Sequence, residues 1–272
     1  MDSLTVSASP PLRTCLLTDI YQQTEPVTLY LMTDSKHPLS TALVASIHMP
    51  EPSCFTQASK DPAWRATMTT EFDALLRNGT WDLIPRTLSM NVVRCKWVYK
   101  LKHQADGSIK RYKTRLVAKG CHQQPGLDYT DTFSPVIKIT TVRLLLCIAI
   151  CSNWNVRQLD VSNAFLHGSL KETVYMEQLS GFTHPLYPSH VCHLYKSLYG
   201  LKQALRAWFN RLGGWLQTQG FSGSKTNTSL FYQCTSTSKI YILIYVDDIL
   251  VTENNLNEIT TVIQSLNREF SV

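Results

Sequence analysis

Two adjacent aspartates, Asp247 and Asp248, lie between two short apolar runs near the end of the chain. The runs K-I-Y-I-L-I-Y-V and I-L-V are rich in β-branched, aliphatic and aromatic residues, which predicts the two strands of a hairpin. A two-residue hairpin turn usually takes Gly or Asn, and this segment contains neither. The pair is therefore either an acidic surface turn or a pair of hard oxygen ligands for Mg²⁺ on a rigid hairpin.

A third carboxylate, Asp160, lies near the C-terminal end of a predicted strand at 156–161. A helix of about twenty residues separates this strand from the hairpin, so the two elements can be neighbours in one sheet. Three carboxylates on adjacent strands can hold two Mg²⁺ ions about 4 Å apart, one activating an attacking hydroxyl and the other neutralising a leaving pyrophosphate. Asp160, Asp247 and Asp248 are thus candidate catalytic residues and metal ligands for nucleotidyl transfer, with Mn²⁺ as an alternative ion.

Positive charge is concentrated between Arg94 and Lys119, where nine Lys and Arg residues are opposed by Asp106 alone. Two predicted strands, at 92–102 and 109–119, carry this cluster and interleave it with aromatic residues. Such a basic hairpin predicts a polyanionic partner, either a phosphate backbone or a triphosphate. A solvated basic hairpin with no partner is the alternative.

The elements that must position these residues are helices and strands in mixed order. Asp61-Pro62 is typical of a helix start, and Asn78-Gly79 of a helix end. The segment 140–154 is apolar nearly all round and predicts a buried helix, whereas 200–219 and 254–270 predict amphipathic helices. Residues 1–57 are rich in Pro, Ser and Thr, which predicts a poorly structured segment before a folded domain at 58–272.

The composition is that of a globular chain, with 44% hydrophobic and 17% charged residues among 272. No apolar run approaches the roughly 18 residues that span a bilayer. The N-terminus lacks the features of a signal peptide, and the eight cysteines form no disulfide-like framework. We therefore expect an intracellular protein, cytoplasmic or nuclear, that is neither secreted nor bound to a membrane.

Several longer motifs resemble the reverse transcriptase of copia-type retrotransposons. They are L-D-V-S-N-A-F-L-H-G at 159–168, R-Y-K-T-R-L-V-A-K-G at 111–120, K-S-L-Y-G-L-K-Q-A-L-R-A-W-F at 196–209 and L-I-Y-V-D-D-I-L at 243–250. Three shorter motifs also fit: N-G-T-W-D-L-I-P at 78–85, D-T-F-S-P-V at 131–136 and V-Y-M-E-Q at 174–178. The motifs follow the family order and spacing over residues 61–272, so together they are far more specific than any one alone.

The resemblance implies an α+β fold, the fingers and palm of a right-hand polymerase, with an antiparallel palm sheet packed on helices. It also implies RNA-directed DNA polymerase activity on an RNA or DNA template with a primer and deoxynucleoside triphosphates. Because the sequence stops after the last expected palm helix, we expect the thumb to be absent. A second hypothesis is a truncated element remnant that binds nucleic acid with weak catalysis or none.

By the same resemblance, Asp160 and Asp247 match the first and second metal-binding aspartates, and Asp248 is the partner of Asp247. Phe165 falls where the family places a bulky residue under the sugar 2′-carbon, and ordinary core packing is its alternative role. The other residues carried over are Lys113 and Arg115 for the triphosphate, Tyr199, Gly200 and Gln203 for the segment under template–primer and nucleotide, and Lys110, Arg111, Lys113 and Lys119 for nucleic acid. The chain departs from the family pattern at Leu179, Leu205 and Glu253, the last standing where a Gly usually follows the hairpin.

Overall fold

The computed structural model describes residues 51–270 and the backbone of a two-residue strand at Cys15–Leu16. The helices are α1 Phe55–Ala58, α2 Pro62–Arg77, α3 Ile139–Cys151, α4 Ala204–Thr218 and α5 Leu256–Phe270. The strands are β1 Cys15–Leu16, β2 Trp81–Ile84, β3 Val92–Val93, β4 Cys95–His103, β5 Ile109–Ala118, β6 Asn155–Asp160, β7 Ser169–Met176, β8 Val191–Lys196, β9 Ser222–Gly223, β10 Leu230–Cys234, β11 Lys239–Tyr245 and β12 Asp248–Glu253. Short 3₁₀ turns lie at Gly120–His122 and Ala164–His167.

A six-stranded antiparallel sheet in the order β1-β6-β12-β11-β10-β9 holds the two strands that carry the aspartates. Its inward residues, such as Ile242 and Val251, share one core with the apolar stripe of α5. That stripe repeats every three or four residues at Ile259, Ile263 and Leu266, the spacing of one helix face. The hairpin around Asp247 and Asp248, the strand that carries Asp160 and the final amphipathic helix are thus confirmed, and the fold is of the α+β class.

A second sheet in the order β2-β8-β7-β3 and a separate β4-β5 hairpin complete the described strands. Helix α2 packs against β5, and it begins as expected: Asp61 caps it by accepting a hydrogen bond from the Ala63 backbone amide. The prediction of a single strand at 92–102 is wrong, because two strands in different sheets occupy this segment. Val92–Val93 pairs with β7 in the second sheet, and the hairpin strand begins only at Cys95.

The helix predicted at 140–154 is present, but the prediction that it is buried is wrong. Helix α3 exists, but only Leu145 and Ala149 are buried, whereas Ile139, Leu144 and Ile150 are between 59% and 78% exposed. An apolar pattern on every face indicates that a helix can be buried, but here only one face meets β6 and β12. Strand β8, in contrast, was not expected from the sequence, and it is one of the two central strands of the second sheet.

Most of the segment 1–57, predicted to be poorly structured, lies outside the described residues. The described residues of this segment are the strand at Cys15–Leu16 and residues 51–57, which include the start of α1. The domain boundary at residue 58 stays a prediction. Within the described ranges, no helix is both long and apolar enough to cross a bilayer.

Candidate active site

Asp160 and Asp248 face each other across two neighbouring strands. Asp160 ends β6, Asp248 begins β12, and the register of this antiparallel pair sets their Cα atoms opposite one another. Directly opposed residues of an antiparallel pair project to the same face of the sheet. The carbonyl of Asp247 accepts a hydrogen bond from the Val161 amide at 2.9 Å, which extends the connection past the last ladder pair. All three aspartates therefore lie at one end of the sheet.

The hairpin turn consists of Val246 and Asp247, because Tyr245 pairs with Asp248. Asp248 thus belongs to strand β12, whereas the sequence placed both aspartates at the tip. Val246 has a φ of +56°, in the left-handed region that a β-branched residue rarely adopts. A backbone conformation of this kind costs on the order of 1–3 kcal/mol and persists only where its surroundings hold it.

The three aspartates lie at the same end of the sheet, but their carboxylates do not converge into one group of metal ligands. Among the residues that the structure describes, no set of three or more His, Cys, Asp or Glu side chains is arranged to hold a metal ion. The Asp248 carboxylate instead accepts a hydrogen bond from Gln158 Nε2 at 3.1 Å. In chemistry, the oxygen-only donor set fits a hard divalent cation such as Mg²⁺. The neighbouring like charges of Asp160 and Asp248 also repel each other, which a bound cation would relieve.

The basic hairpin reaches the acidic end of the sheet through β5. Lys113 is half-buried, and its pKa is lowered by burial and by the nearby charges of Arg115 and Arg111. The charge of Asp160 opposes this shift and raises the pKa of Lys113. Lys113 is therefore within electrostatic range of Asp160. Of the other predicted nucleic-acid contacts, Lys110 and Arg111 are exposed near the hairpin tip and Lys119 is half-buried at its base.

Beside the aspartates, the Tyr199 ring contacts Arg115 on its face and Phe165 in an edge-to-face arrangement. The Arg115 guanidinium carbon lies 4.1 Å from the centre of the Tyr199 ring, and the Phe165 ring meets Tyr199 edge-on at 4.5 Å. Burial raises the pKa of Tyr199 to about 12, with Asp247 and Asp160 acting in the same direction and Arg115 opposing. The Tyr199 hydroxyl is therefore neutral at physiological pH and can donate a hydrogen bond.

The loop that carries Tyr199 is docked on the end of β5. The Ala118 amide donates to the Tyr199 carbonyl at 2.7 Å, and Gly200 follows with a φ of +88°. A side chain at Gly200 would overlap the Ala118 carbonyl, and one at Gly120 would overlap the Gly200 carbonyl. Glycine is required at Gly200 both for its backbone angle and for this close approach. Two motifs about eighty residues apart are thus in direct contact.

Gln203, which the sequence predicted to bind substrate, is buried in the structure, and its role towards substrate stays a prediction. Its side chain is 3% exposed, and both ends of its amide are used within the protein. Its Nε2 donates to the Asp128 carbonyl at 2.8 Å, and its Oε1 accepts from Gln123 Nε2 at 3.0 Å. A buried amide satisfied in this way fixes the loop before α4, and the surface is left to Tyr199 and Gly200.

Residues 78–272 match the family model for reverse transcriptase (RNA-dependent DNA polymerase). The chain belongs to this family. The Retrovirus-related Pol polyprotein from transposon RE1 of Arabidopsis thaliana is 48% identical over 238 residues, which cover 87% of this chain and 16% of that protein. The Pol polyprotein from transposon TNT 1-94 of Nicotiana tabacum is 38% identical over 206 residues, or 75% of this chain and 16% of that protein.

The resemblance of this reverse transcriptase domain to copia-type elements, inferred from its motifs, is thereby confirmed. The chain spans about 16% of the length of these relatives. The match also covers every aspartate, cation and aromatic residue that was predicted for the site.

Three residues near the site were not identified from the sequence. Glu71, on α2, is half-buried; burial raises its pKa, and the hydrogen bond from the Leu116 amide and the charges of Arg115 and Lys113 oppose this effect. Gln158 lies two residues before Asp160, and the period of two along a strand could have placed it on the same face. Trp208 donates from its indole nitrogen to the Val246 carbonyl at 2.7 Å, a contact that no sequence pattern signals.

Proposed function

We propose that this chain is the fingers and palm part of an RNA-directed DNA polymerase that extends a primer on an RNA or DNA template. The observation that carries the proposal is the β6–β12 register, which opposes Asp160 to Asp248 beside Asp247. In a family of reverse transcriptases, carboxylates at one sheet edge next to a basic hairpin fit nucleotidyl transfer. The six-stranded sheet would be the palm, and the β4-β5 hairpin would belong to the fingers.

The cations and rings of the site would receive the deoxynucleoside triphosphate. Lys113 and Arg115 lie on the hairpin side of the aspartates and supply positive charge for the phosphates. The Tyr199 ring holds the Arg115 guanidinium from one face and meets Phe165 on its edge. The sugar would then lie over Phe165, where a 2′-hydroxyl meets the ring and a 2′-hydrogen does not.

Asp160, Asp247 and Asp248 would hold the two Mg²⁺ ions, with Mn²⁺ able to replace them. The ions would lower the pKa of the primer 3′-hydroxyl and neutralise charge on the leaving pyrophosphate. The chain's own contribution is geometric. Because β6 and β12 are hydrogen-bonded neighbours, Asp160 is fixed relative to the hairpin before the substrate arrives.

The decisive experiment is primer extension by the purified chain and by Asp247→Asn. We expect extension by the wild-type chain and a loss on the order of 10³-fold or more in the variant, because one ligand of the two-ion arrangement is neutralised. Asp73→Asn is the matched control, since Asp73 is an exposed aspartate on α2. It should extend primers at the wild-type rate.

The competing hypothesis is a domain that binds nucleic acid without polymerising. Under it, wild-type and Asp247→Asn chains would bind a primer–template equally and neither would extend it. Equal extension by Asp247→Asn and the wild-type chain would remove the aspartates from the mechanism altogether.

A further inference from the structure

The backbone before Asp247 adopts a conformation that its own sequence disfavours. Val246 has a φ of +56°, and β-branched residues rarely occupy this region. Turns of this kind are normally built with Gly or Asn, which take a positive φ at little cost. Something outside the turn must therefore hold it.

Trp208 provides that contact. Its indole nitrogen donates to the Val246 carbonyl oxygen at 2.7 Å, a short and well-formed hydrogen bond. Trp208 lies on α4 and is 1% exposed, so no water competes for its donor. The bonded carbonyl belongs to the peptide unit that joins Val246 to Asp247, so its orientation sets the direction in which the chain enters Asp247.

The indole is itself held by aromatic neighbours on two other elements. The Phe270 ring, at the end of α5, meets it edge-on at 5.2 Å, and His167 lies 5.9 Å away. His167 ends the short turn that follows Asp160 and β6. Trp208 thus contacts the Val246-Asp247 turn directly, and it also packs against the short segment that follows Asp160.

We propose that Trp208 is a positioning residue: its indole hydrogen bond holds the strained Val246-Asp247 turn and thereby aims Asp247 at the ions that it shares with Asp160. This inference rests on the proposed function. A positioning role differs from a packing role in one respect: activity should depend on the indole N–H donor and not on the volume of the ring. Trp208→Phe removes the donor and keeps most of the ring.

The test compares Trp208→Phe with Trp215→Phe. Trp215 lies on the same helix and packs edge-on against the same Phe270 ring at 5.6 Å, which makes it a control for loss of indole volume. We expect Trp208→Phe to lower kcat about tenfold, the factor that corresponds to one hydrogen bond, with the KM for deoxynucleotide within about twofold. Trp215→Phe should leave both constants near wild type. Equal losses in the two variants would mean a packing role and overturn the inference.

A second arm uses the strain itself. Glycine adopts a positive φ freely, so Val246→Gly should make the turn far less dependent on Trp208. In the Val246→Gly background, Trp208→Phe should therefore cost less than about twofold in kcat. A tenfold loss in that background as well would show that the hydrogen bond does not act through the turn.

A third arm separates this inference from the proposed function. Mn²⁺ binding, followed by electron paramagnetic resonance, should weaken about tenfold in Trp208→Phe and remain unchanged in Trp215→Phe. If the wild-type chain extends no primer but shows this difference, the polymerase proposal fails and the positioning role stands. If both variants bind Mn²⁺ as the wild type does, or the wild type binds none, the positioning role is wrong.

Discussion

At the scale of single residues, the site depends on a short chain of ring contacts beside the aspartates. Phe165 packs edge-on against Tyr199, and Tyr199 carries Arg115 on its face. Phe165 is 9% exposed, so it belongs to the core and also lies at the edge of the site. The two roles expected for it from the sequence, core packing and contact with the sugar, are therefore compatible.

Phe165→Val should admit ribonucleotides while use of deoxynucleotides survives. A ring under the sugar rejects a 2′-hydroxyl by steric exclusion, and a smaller side chain leaves room for it. The measurement is the ratio of kcat/KM for ribonucleotide to that for deoxynucleotide. Phe182→Val, a half-buried phenylalanine that stacks on Phe72, is the control and should not change this ratio. A folded Phe165→Val protein with an unchanged ratio would assign Phe165 to the core alone.

At the scale of elements, the β4-β5 hairpin places like charges opposite each other. Lys102 lies opposite Arg111 across the ladder, and Lys100 lies opposite Lys113, although Lys100 also forms a salt bridge with Glu51 at 3.2 Å. Like charges directly opposed on a sheet are destabilising, and a bound polyanion would compensate them. The hairpin is therefore built at some cost to its own stability, which supports a role in binding phosphates.

Replacing Lys110, Arg111 and Lys113 together by Ala should weaken primer–template binding and reduce its dependence on salt. Each phosphate contact releases counterions, so the slope of log affinity against log salt should flatten by up to roughly two to three units. The affinity is measured by fluorescence anisotropy over a series of salt concentrations.

The control for the hairpin variant is a triple replacement of exposed cations elsewhere, at Lys60, Arg77 and Lys225. It changes the net charge of the chain by the same amount, so it isolates the effect of position. Equal slopes for the two triple variants would mean that nucleic acid is attracted by overall charge and does not contact the hairpin.

At the scale of the whole molecule, the sheet contains a buried carboxylate at the end of β12 opposite to the site. Glu253 is 1% exposed, and Arg157 forms an ion pair with it at 3.8 Å. Burial raises the pKa of Glu253 from 4.5 to about 7, with Arg157 opposing. This chain thus buries an ionisable group in β12, the strand that begins with Asp248 and pairs with the strand of Asp160.

The stability of the domain should therefore fall as the pH rises from about 4.5 to about 7. The folded state binds the Glu253 proton more tightly than the unfolded state does, so its contribution is lost over this range and stays lost above it. Glu253→Gln removes the titration and should raise the free energy of unfolding at pH 8 by on the order of 1–3 kcal/mol relative to wild type. At pH 4 the two proteins should be nearly equal, as measured by urea denaturation.

Glu258→Gln is the control for this prediction, because Glu258 lies half-buried near the start of α5, where it accepts a hydrogen bond from Asn255. It removes a carboxylate of the same kind from a less buried position. If the two variants change the free energy of unfolding equally at pH 4 and at pH 8, the buried carboxylate of Glu253 does not set the pH dependence.

Much of the site was predictable because its signals are local. The strand before Asp160, the hairpin around Asp247 and Asp248, the basic strands and the final amphipathic helix all follow from residue types at short spacing. The family was predictable for a different reason, since several motifs in a fixed order are together very specific. The sequence by itself therefore determined the family, the α+β class and which residues are available for chemistry.

Tertiary structure alone decided which of these residues are in contact, which are buried and which strands pair. Nothing in the local pattern shows that Gln203 is buried, that α3 leaves most of its apolar surface exposed, or that Val92 pairs in a different sheet from Cys95. The hydrogen bond from Trp208 to Val246 joins residues 38 positions apart. Burial, pairing and strain depend on contacts between distant segments, because they arise only when those segments are brought together in the folded chain.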